Sequence, residues 1–126
     1  MSSTLTPVVN TYFCDAAIAK GKAVKIGTDK QHVAVGAANT DKCIGIAQNT
    51  VTTAEDAVEV AMVGGGAKGL LGEGVSAGAY LVSHTDGTLV KANTAGDHVC
   101  AMALEDGDAS DLINVAVVAF EAYNAE

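Results

Sequence analysis

The sequence predicts a small all-β domain, either a barrel or a sandwich, and three observations support that prediction. Short apolar runs recur at close spacing between Gly, Asp, Asn and Thr residues, a pattern typical of compact all-β folds. Valine, with 16 copies, is the commonest large residue, and its branched side chain favours pleated sheets. Residues 79–92 also indicate a hairpin, because Asp86-Gly87 between two apolar runs supplies the positive φ of a tight turn.

Eight apolar segments are predicted to form strands. Val58–Val63 begins with strict alternation of apolar and polar side chains, as a half-buried strand does. Leu112–Phe120 is apolar on both faces apart from Asn114, which suits a central strand or one covered by a neighbouring subunit. The other predicted strands are Ala23–Ile26, His32–Val35, Cys43–Ala47, Ala79–Ser83, Thr88–Ala92 and Val99–Leu104.

Two segments fit single helical turns that would leave the fold class unchanged. Thr52–Glu55 has the S/T-x-x-E form of a capping box and precedes the Val58 strand. Asp15–Gly21 fits one turn closed by a glycine. We expect neither to extend into a full helix.

A chain of 126 residues is predicted to form one domain, residues 12–126, preceded by an extended N-terminal arm, residues 1–11. The arm is polar around an apolar centre, so it fits either a strand added to a partner's sheet edge or a disordered terminus. It lacks the basic and apolar regions of a secretory signal. The arm residues are Ser2, Ser3, Thr4, Leu5, Thr6, Pro7, Val8, Val9, Asn10 and Thr11.

The charge of the chain excludes several classes of function. Seven Lys, no Arg and 15 acidic residues leave a net charge of −8, which is the wrong sign for binding a nucleic-acid backbone. No apolar stretch approaches the length of a membrane span. Residues 1–42 hold five of the Lys, whereas residues 93–126 hold seven acidic residues and no Lys. Such asymmetry either orients the molecule on a partner or serves solubility.

The three cysteines are predicted to be reduced core residues. Cys14, Cys43 and Cys100 are odd in number, never in C-x-x-C spacing, and each lies among apolar neighbours. This usage indicates synthesis in a reducing compartment. We expect neither a disulfide nor a metal site from them.

One motif raises the alternative of a small serine esterase. Gly74-Val75-Ser76-Ala77-Gly78 matches G-x-S-x-G, and Asp86 or Asp97 and then His98 follow in the order of a hydrolase triad. A nucleophile elbow needs a strand before the serine and a helix after it. Here Gly78 leads directly into a predicted strand, so we expect a turn without catalysis.

Three further patterns are expected to be structural, which predicts no metal and no cofactor. Gly64–Gly69 matches G-x-G-x-x-G but opens no helix, so a loop or a bulged edge is the expectation. Glu105–Asp111 holds four carboxylates, but an EF-hand requires Gly and Glu where Asp111 and Val117 stand. His32, His84 and His98 lack metal-ligand spacing.

A core built from Val and Ala is thin, and such a chain often completes its burial by self-association. The two-faced strand near the C-terminus is the natural contact. The candidate subunit-interface residues are Ile113, Val115, Val117 and Phe120.

The order of these features resembles one protein family, the small capsid cement or head decoration proteins of tailed bacteriophages. Each feature is unspecific, but their order and spacing over Gly21 to Phe120 carry the resemblance. The features are Ala19-Lys20-Gly21-Lys22-Ala23-Val24, Ile44-Gly45-Ile46-Ala47, Val58-Glu59-Val60 before the glycine run, Gly74–Leu81, Ala101–Glu105 and the Val-rich last strand.

The resemblance implies a barrel-like or β-tulip-like domain without enzyme activity. It implies a homotrimer, with a dimer as the alternative, that is synthesised in the host cytoplasm and lies on the outer capsid surface of the virion. The arm Ser2–Thr11 would contact the major capsid protein and stabilise its lattice. A tail or fibre-tip module of a phage is the alternative structural role, and imaging of labelled protein on virions would separate head from tail.

Overall fold

A computed structural model describes residues 8–93 and 95–121 of the chain, and these residues form ten strands and no helix. The predicted all-β class is therefore confirmed. The strands are β1 (Val9–Cys14), β2 (Ala23–Ile26), β3 (His32–Val35), β4 (Cys43–Ala47), β5 (Ala57–Met62), β6 (Gly66–Leu70), β7 (Tyr80–Ser83), β8 (Leu89–Lys91), β9 (His98–Ala103) and β10 (Leu112–Glu121).

The first five strands close into a barrel in the order β1-β3-β2-β4-β5. The β1–β3 pair is parallel, and the other neighbours, including β5 with β1, are antiparallel. Small β-branched side chains fill the interior, because a barrel of five strands leaves little room inside. The buried interior residues are Cys14, Ile18, Val24, Val33, Ala47, Val51, Val58 and Val60.

The remaining strands form one antiparallel sheet in the order β6-β10-β9-β7-β8. A bridge between Leu71, just after β6, and Leu89 in β8 brings the two outer strands together. The sheet thus curls around its own apolar core, which includes Leu71, Leu81, Leu89 and Val115. Barrel side chains such as Ile46 join this core and so attach the two units to each other.

Both edges of the curled sheet are covered by the chain itself. On β6, the Leu70 N–H donates to the Gly21 carbonyl at 2.9 Å and the Lys68 N–H donates to the Gln48 side chain at 3.4 Å. On β8, the Leu89 carbonyl accepts from Gly72 at 2.8 Å. Because the barrel is closed, the described residues offer little open edge to which a partner strand could add.

All eight predicted strands are present, with ends that differ by a few residues at most. The predicted hairpin of β7 and β8 is present, with Val82 opposite Val90. Gly87 in its turn has a φ of 84°, as the turn signal requires. Residues 15–21 and 52–55 form turns and bends in place of the helical turns that their spacing suggested.

Two strands were not predicted. Strand β1 contains Asn10 and Thr11, and its polar character placed those residues in the arm, whereas its backbone pairs along β5 from Val9 to Phe13. Of the predicted arm, Val9–Thr11 therefore belong to the barrel, Val8 is exposed, and Ser2–Pro7 lie outside the described residues.

Strand β6 was hidden by its glycines. Gly69 is needed there because a Cβ at this position would lie 2.6 Å from the Leu89 Cδ1 atom and 3.2 Å from the Val115 Cγ1 atom. The glycine run thus contains an edge strand that packs closely on the core, which is a known use of glycine within strands.

Candidate interaction surfaces

Three of the four candidate interface residues are buried inside the chain's own fold. Ile113, Val115 and Val117 alternate along β10 and point into the core of the curled sheet. Because β10 lies between β6 and β9, the strand is central, which was one of the two alternatives for its apolar pattern. Phe120, which is 40% exposed, is the one member of the set that could contact another molecule.

An exposed apolar surface lies on the outer face of the curled sheet, and we call it the sheet patch. Its members are Tyr80, Met102, Leu104, Ala116 and Phe120. Tyr80 and Ala116 both pair with Met102, so these three side chains share one face. Leu104 lies two residues after Met102 and is exposed on that face. The Tyr80 and Phe120 rings meet edge to face with centroids 5.1 Å apart.

Carboxylates outnumber cations beside the sheet patch. Glu105 and Asp106 directly follow Leu104, and both are exposed. The neighbouring cation is Lys68 on β6, opposite Asn114, whereas Glu121 and His98 pair with each other at the far end of β10. The rim of the patch is therefore acidic, in keeping with the excess of acidic residues in this half of the chain.

The described chain begins beside the crossing from the barrel to the curled sheet. The Val8 carbonyl accepts from the Met62 N–H at 2.5 Å, and Val8 and Val63 are both exposed. A few residues further on, the Gly64 N–H donates to the Val117 carbonyl at 3.2 Å. Val8, the first described residue, therefore lies at the junction of the two units.

A cleft of about 510 Å³, lined by both polar and apolar residues, lies between the loop at residues 37–39, residues 72–73 and the β7–β8 hairpin. Its base contains Asp97, which is 1% exposed. The Asp97 carboxylate accepts hydrogen bonds from the Asn39 amide and, at 3.0 Å, from the Asn93 N–H. At the opposite wall the Lys91 N–H donates to Glu73 at 2.8 Å. No sequence signal indicated this cleft, because its residues come from five separate segments.

His32 connects two loops of the barrel through its imidazole ring. Its Nδ1 and Nε2 atoms each lie 2.8 Å from a carboxylate oxygen, of Asp29 and Glu55 respectively. The hydrogen bond to Asp29, followed by that to Glu55, raises the pKa of His32 to about 9. The same contact lowers the pKa of Asp29. His32 therefore carries a positive charge at neutral pH and joins β3 to the turn at Glu55, whose φ is 74°.

Ser76 does not stand on a nucleophile elbow. It is exposed in a turn, where its carbonyl accepts from the Ala79 N–H at 3.1 Å. The chain then enters β7, so no helix follows the serine to orient its hydroxyl. The strand–turn–helix context that the esterase alternative requires is absent from this segment.

The acidic segment Glu105–Asp111 binds backbone N–H groups of its own fold. The Asp106 carboxylate accepts from the Ala77 N–H at 2.8 Å, and the Glu105 carboxylate accepts from the Asn114 N–H at 2.7 Å. The described residues contain no group of three or more side chains arranged to hold a metal ion. These carboxylates thus have a structural use at the end of β9.

The cysteines are buried thiols, as predicted. Cys14 lies inside the barrel, and its Sγ atom donates to the Thr53 carbonyl at 3.1 Å. Cys43 and Cys100 lie between β4 and β9. Their mutual hydrogen bond, together with burial, raises the pKa of the Cys100 thiol well above its usual range. The Cys100 thiol therefore stays protonated and behaves as a small apolar side chain.

Among the described residues, no helix is long and apolar enough to span a membrane. The molecule is a small all-β protein made of a closed barrel and a curled sheet. No protein-family model matches its sequence, and no curated protein does. Among solved structures, a similar one is the head fiber gp8.5 N base in bacteriophage phi29, with a TM-score of 0.69 and 15% identity. The similarity covers 96% of this chain and 99% of that chain, and it shows that the two share a fold.

Proposed function

We propose that this protein is a non-catalytic capsid decoration, or cement, protein of a bacteriophage. It binds the outside of the head and stabilises the lattice of the major capsid protein. The observation that carries the proposal is the fold shared with a phage head fiber base over 96% of the chain. The order of sequence features, which resembles the head decoration family, supports the same role independently.

The proposed mechanism relies on many weak contacts repeated over the capsid. The segment Ser2–Pro7 contacts the major capsid protein, and β1 anchors that segment to the barrel. Repetition of modest contacts at symmetry-related sites produces avidity. A homotrimer, or else a dimer, would multiply the contacts of each unit further. The net charge of −8 suits a surface that stays free of DNA.

The test uses purified protein and expanded phage shells that lack it. We expect the protein to co-sediment with the shells and to raise the temperature at which they disrupt. Deletion of Ser2–Pro7 should abolish binding while leaving the fold intact, because β1 is retained. Wild-type protein that neither sediments with the shells nor raises their disruption temperature would refute the proposal.

Sedimentation equilibrium tests the proposed oligomer. A mass near 12.6 kDa at high concentration would contradict a preformed trimer.

A second candidate is the base of a head fibre, which the name of the structural neighbour favours. Electron micrographs of decorated heads separate the two roles, because a fibre base supports an extended projection and a cement protein forms a compact one.

A further inference from the structure

We infer that the sheet patch is a docking surface for a protein that presents an apolar area surrounded by Lys and Arg side chains. The inference rests on the proposed function, since it takes that partner to be the capsid shell. It adds a second contact, on the curled sheet, to the contact proposed for the N-terminal arm.

The sheet patch is apolar in character. Two aromatic rings, those of Tyr80 and Phe120, are 48% and 40% exposed and lie in contact with each other. Leu104 is 40% exposed beside the half-buried Met102. Adjacent exposed apolar side chains on one sheet face usually mark an interaction site, and Tyr and Met are enriched at protein interfaces.

This fold offers side-chain faces to a partner, because most of its strand edges are already hydrogen-bonded within the chain. The barrel is closed, and the outer strands of the curled sheet are hydrogen-bonded to the chain's own loops. Strand addition is therefore a poor route to a partner. A partner must instead contact side chains, and the sheet patch combines two exposed rings with two exposed or half-buried aliphatic chains.

The charge beside the sheet patch distinguishes between possible partners. Glu105 and Asp106, both exposed, directly follow Leu104 of the patch, against one neighbouring cation, Lys68, which lies opposite Asn114. Two copies that met patch to patch would bring these carboxylates together, with a cost from like-charge repulsion. A surface with Lys and Arg around an apolar centre would pair with them instead. Charge complementarity thus favours a basic partner over a second copy.

The inference is tested with a pair of matched variants. Phe120→Ser removes a ring of the sheet patch, and Phe13→Ser removes a ring that is equally exposed, at 42%, but lies on the barrel. Both proteins are checked for an unchanged thermal midpoint and then titrated onto expanded shells that lack the decoration protein. We expect Phe120→Ser to weaken shell binding by about tenfold or more, and Phe13→Ser to leave it within about twofold.

A second pair of variants tests the charge beside the patch. Asp106→Asn removes a carboxylate beside the patch but keeps an oxygen that can accept from the Ala77 N–H, whereas Asp56→Asn removes an exposed carboxylate on the barrel. We expect Asp106→Asn to weaken binding by about threefold at low salt and Asp56→Asn to have no effect. Raising the salt from about 50 mM to about 500 mM should abolish the difference, because exposed charges are then screened.

The outcomes separate the inference from the proposed function. Wild-type protein that fails to bind shells refutes the proposed function, and the inference falls with it. Wild-type and Phe120→Ser proteins that bind equally well refute the inference alone. Sedimentation equilibrium tests whether the occupant of the patch is a second copy of the chain. If the wild-type protein self-associates and Phe120→Ser makes it monomeric, the occupant is a second copy and the inference is wrong.

Discussion

Gly69 is the position at which the packing of the curled sheet is most directly testable. A Cβ there would lie 2.6 Å from the Leu89 Cδ1 atom. Because Leu89 is fully buried, its side chain cannot relieve the clash by moving into solvent. Overpacking of this kind costs about 1–3 kcal/mol. Replacing Gly by Ala also removes entropy from the unfolded chain and returns about 0.4–1 kcal/mol. We therefore expect Gly69→Ala to lower the free energy of unfolding by about 0.5–2 kcal/mol.

Thermal and urea denaturation measure this loss. With an unfolding entropy of about 2.1 cal/mol/K per residue, the expected decrease in Tm is roughly 2–8 °C. Gly74→Ala is the control, because the nearest atoms to a Cβ there, Asp108 Oδ1 and the Gly107 carbonyl oxygen, are 3.8 Å away. That variant should be unchanged or slightly more stable.

A double variant tests the cause of the loss. Leu89→Val shortens the clashing side chain, so it should cost less in the Gly69→Ala protein than in the wild type. If Gly69→Ala is as stable as Gly74→Ala, or if the two changes simply add, the assignment of β6 to the packed core is wrong.

Three other predictions concern the barrel, the core and the cleft. The pKa of His32 is raised from 6.5 to about 9, so its ion pairs stabilise the fold fully below about pH 6.5 and are lost as the pH rises through about 9. The urea midpoint should therefore fall over that pH range in the wild type and not in His32→Gln. Parallel pH curves for the two proteins would contradict this. Val115→Ala should lower the free energy of unfolding by about 2–3 kcal/mol, because the residue is fully buried. The decrease in Tm should be independent of protein concentration. A decrease that depends on concentration would indicate that Val115 lies in a subunit interface. Asp97→Ala removes the acceptor for Asn39 and Asn93 and should lower the free energy of unfolding, measured with urea, by about 1–3 kcal/mol. An unchanged midpoint would contradict this and show that water replaces the carboxylate.

Local pattern was sufficient for most strands of this protein. Alternation at Val58–Met62, the Asp86-Gly87 turn and the apolar run before Phe120 each depend on a few neighbouring residues, and their strands are present in the fold. Burial of the three cysteines followed in the same way from their apolar neighbours. These features are local because side-chain period and turn chemistry are set within one element.

Strands β1 and β6 could not be predicted because their stability comes from other segments. The polar Asn10 and Thr11 are held in β1 by pairing with β5, about fifty residues away in sequence. Gly69 fits β6 only because Leu89 and Val115 occupy the space that a side chain would need. No period or propensity within either segment reports such contacts.

By itself, the sequence determined the all-β class, the eight strands with local signals, the hairpin turn and the net charge of −8. Only the tertiary structure decided which face of β10, a strand apolar on both faces, meets solvent. It turned Val115 inward and left Tyr80 and Phe120 exposed together on the outer face of one sheet. The physical reason is that, in a strand with apolar residues on both faces, the residue pattern does not indicate which face is buried. The order and curl of its neighbours choose that side.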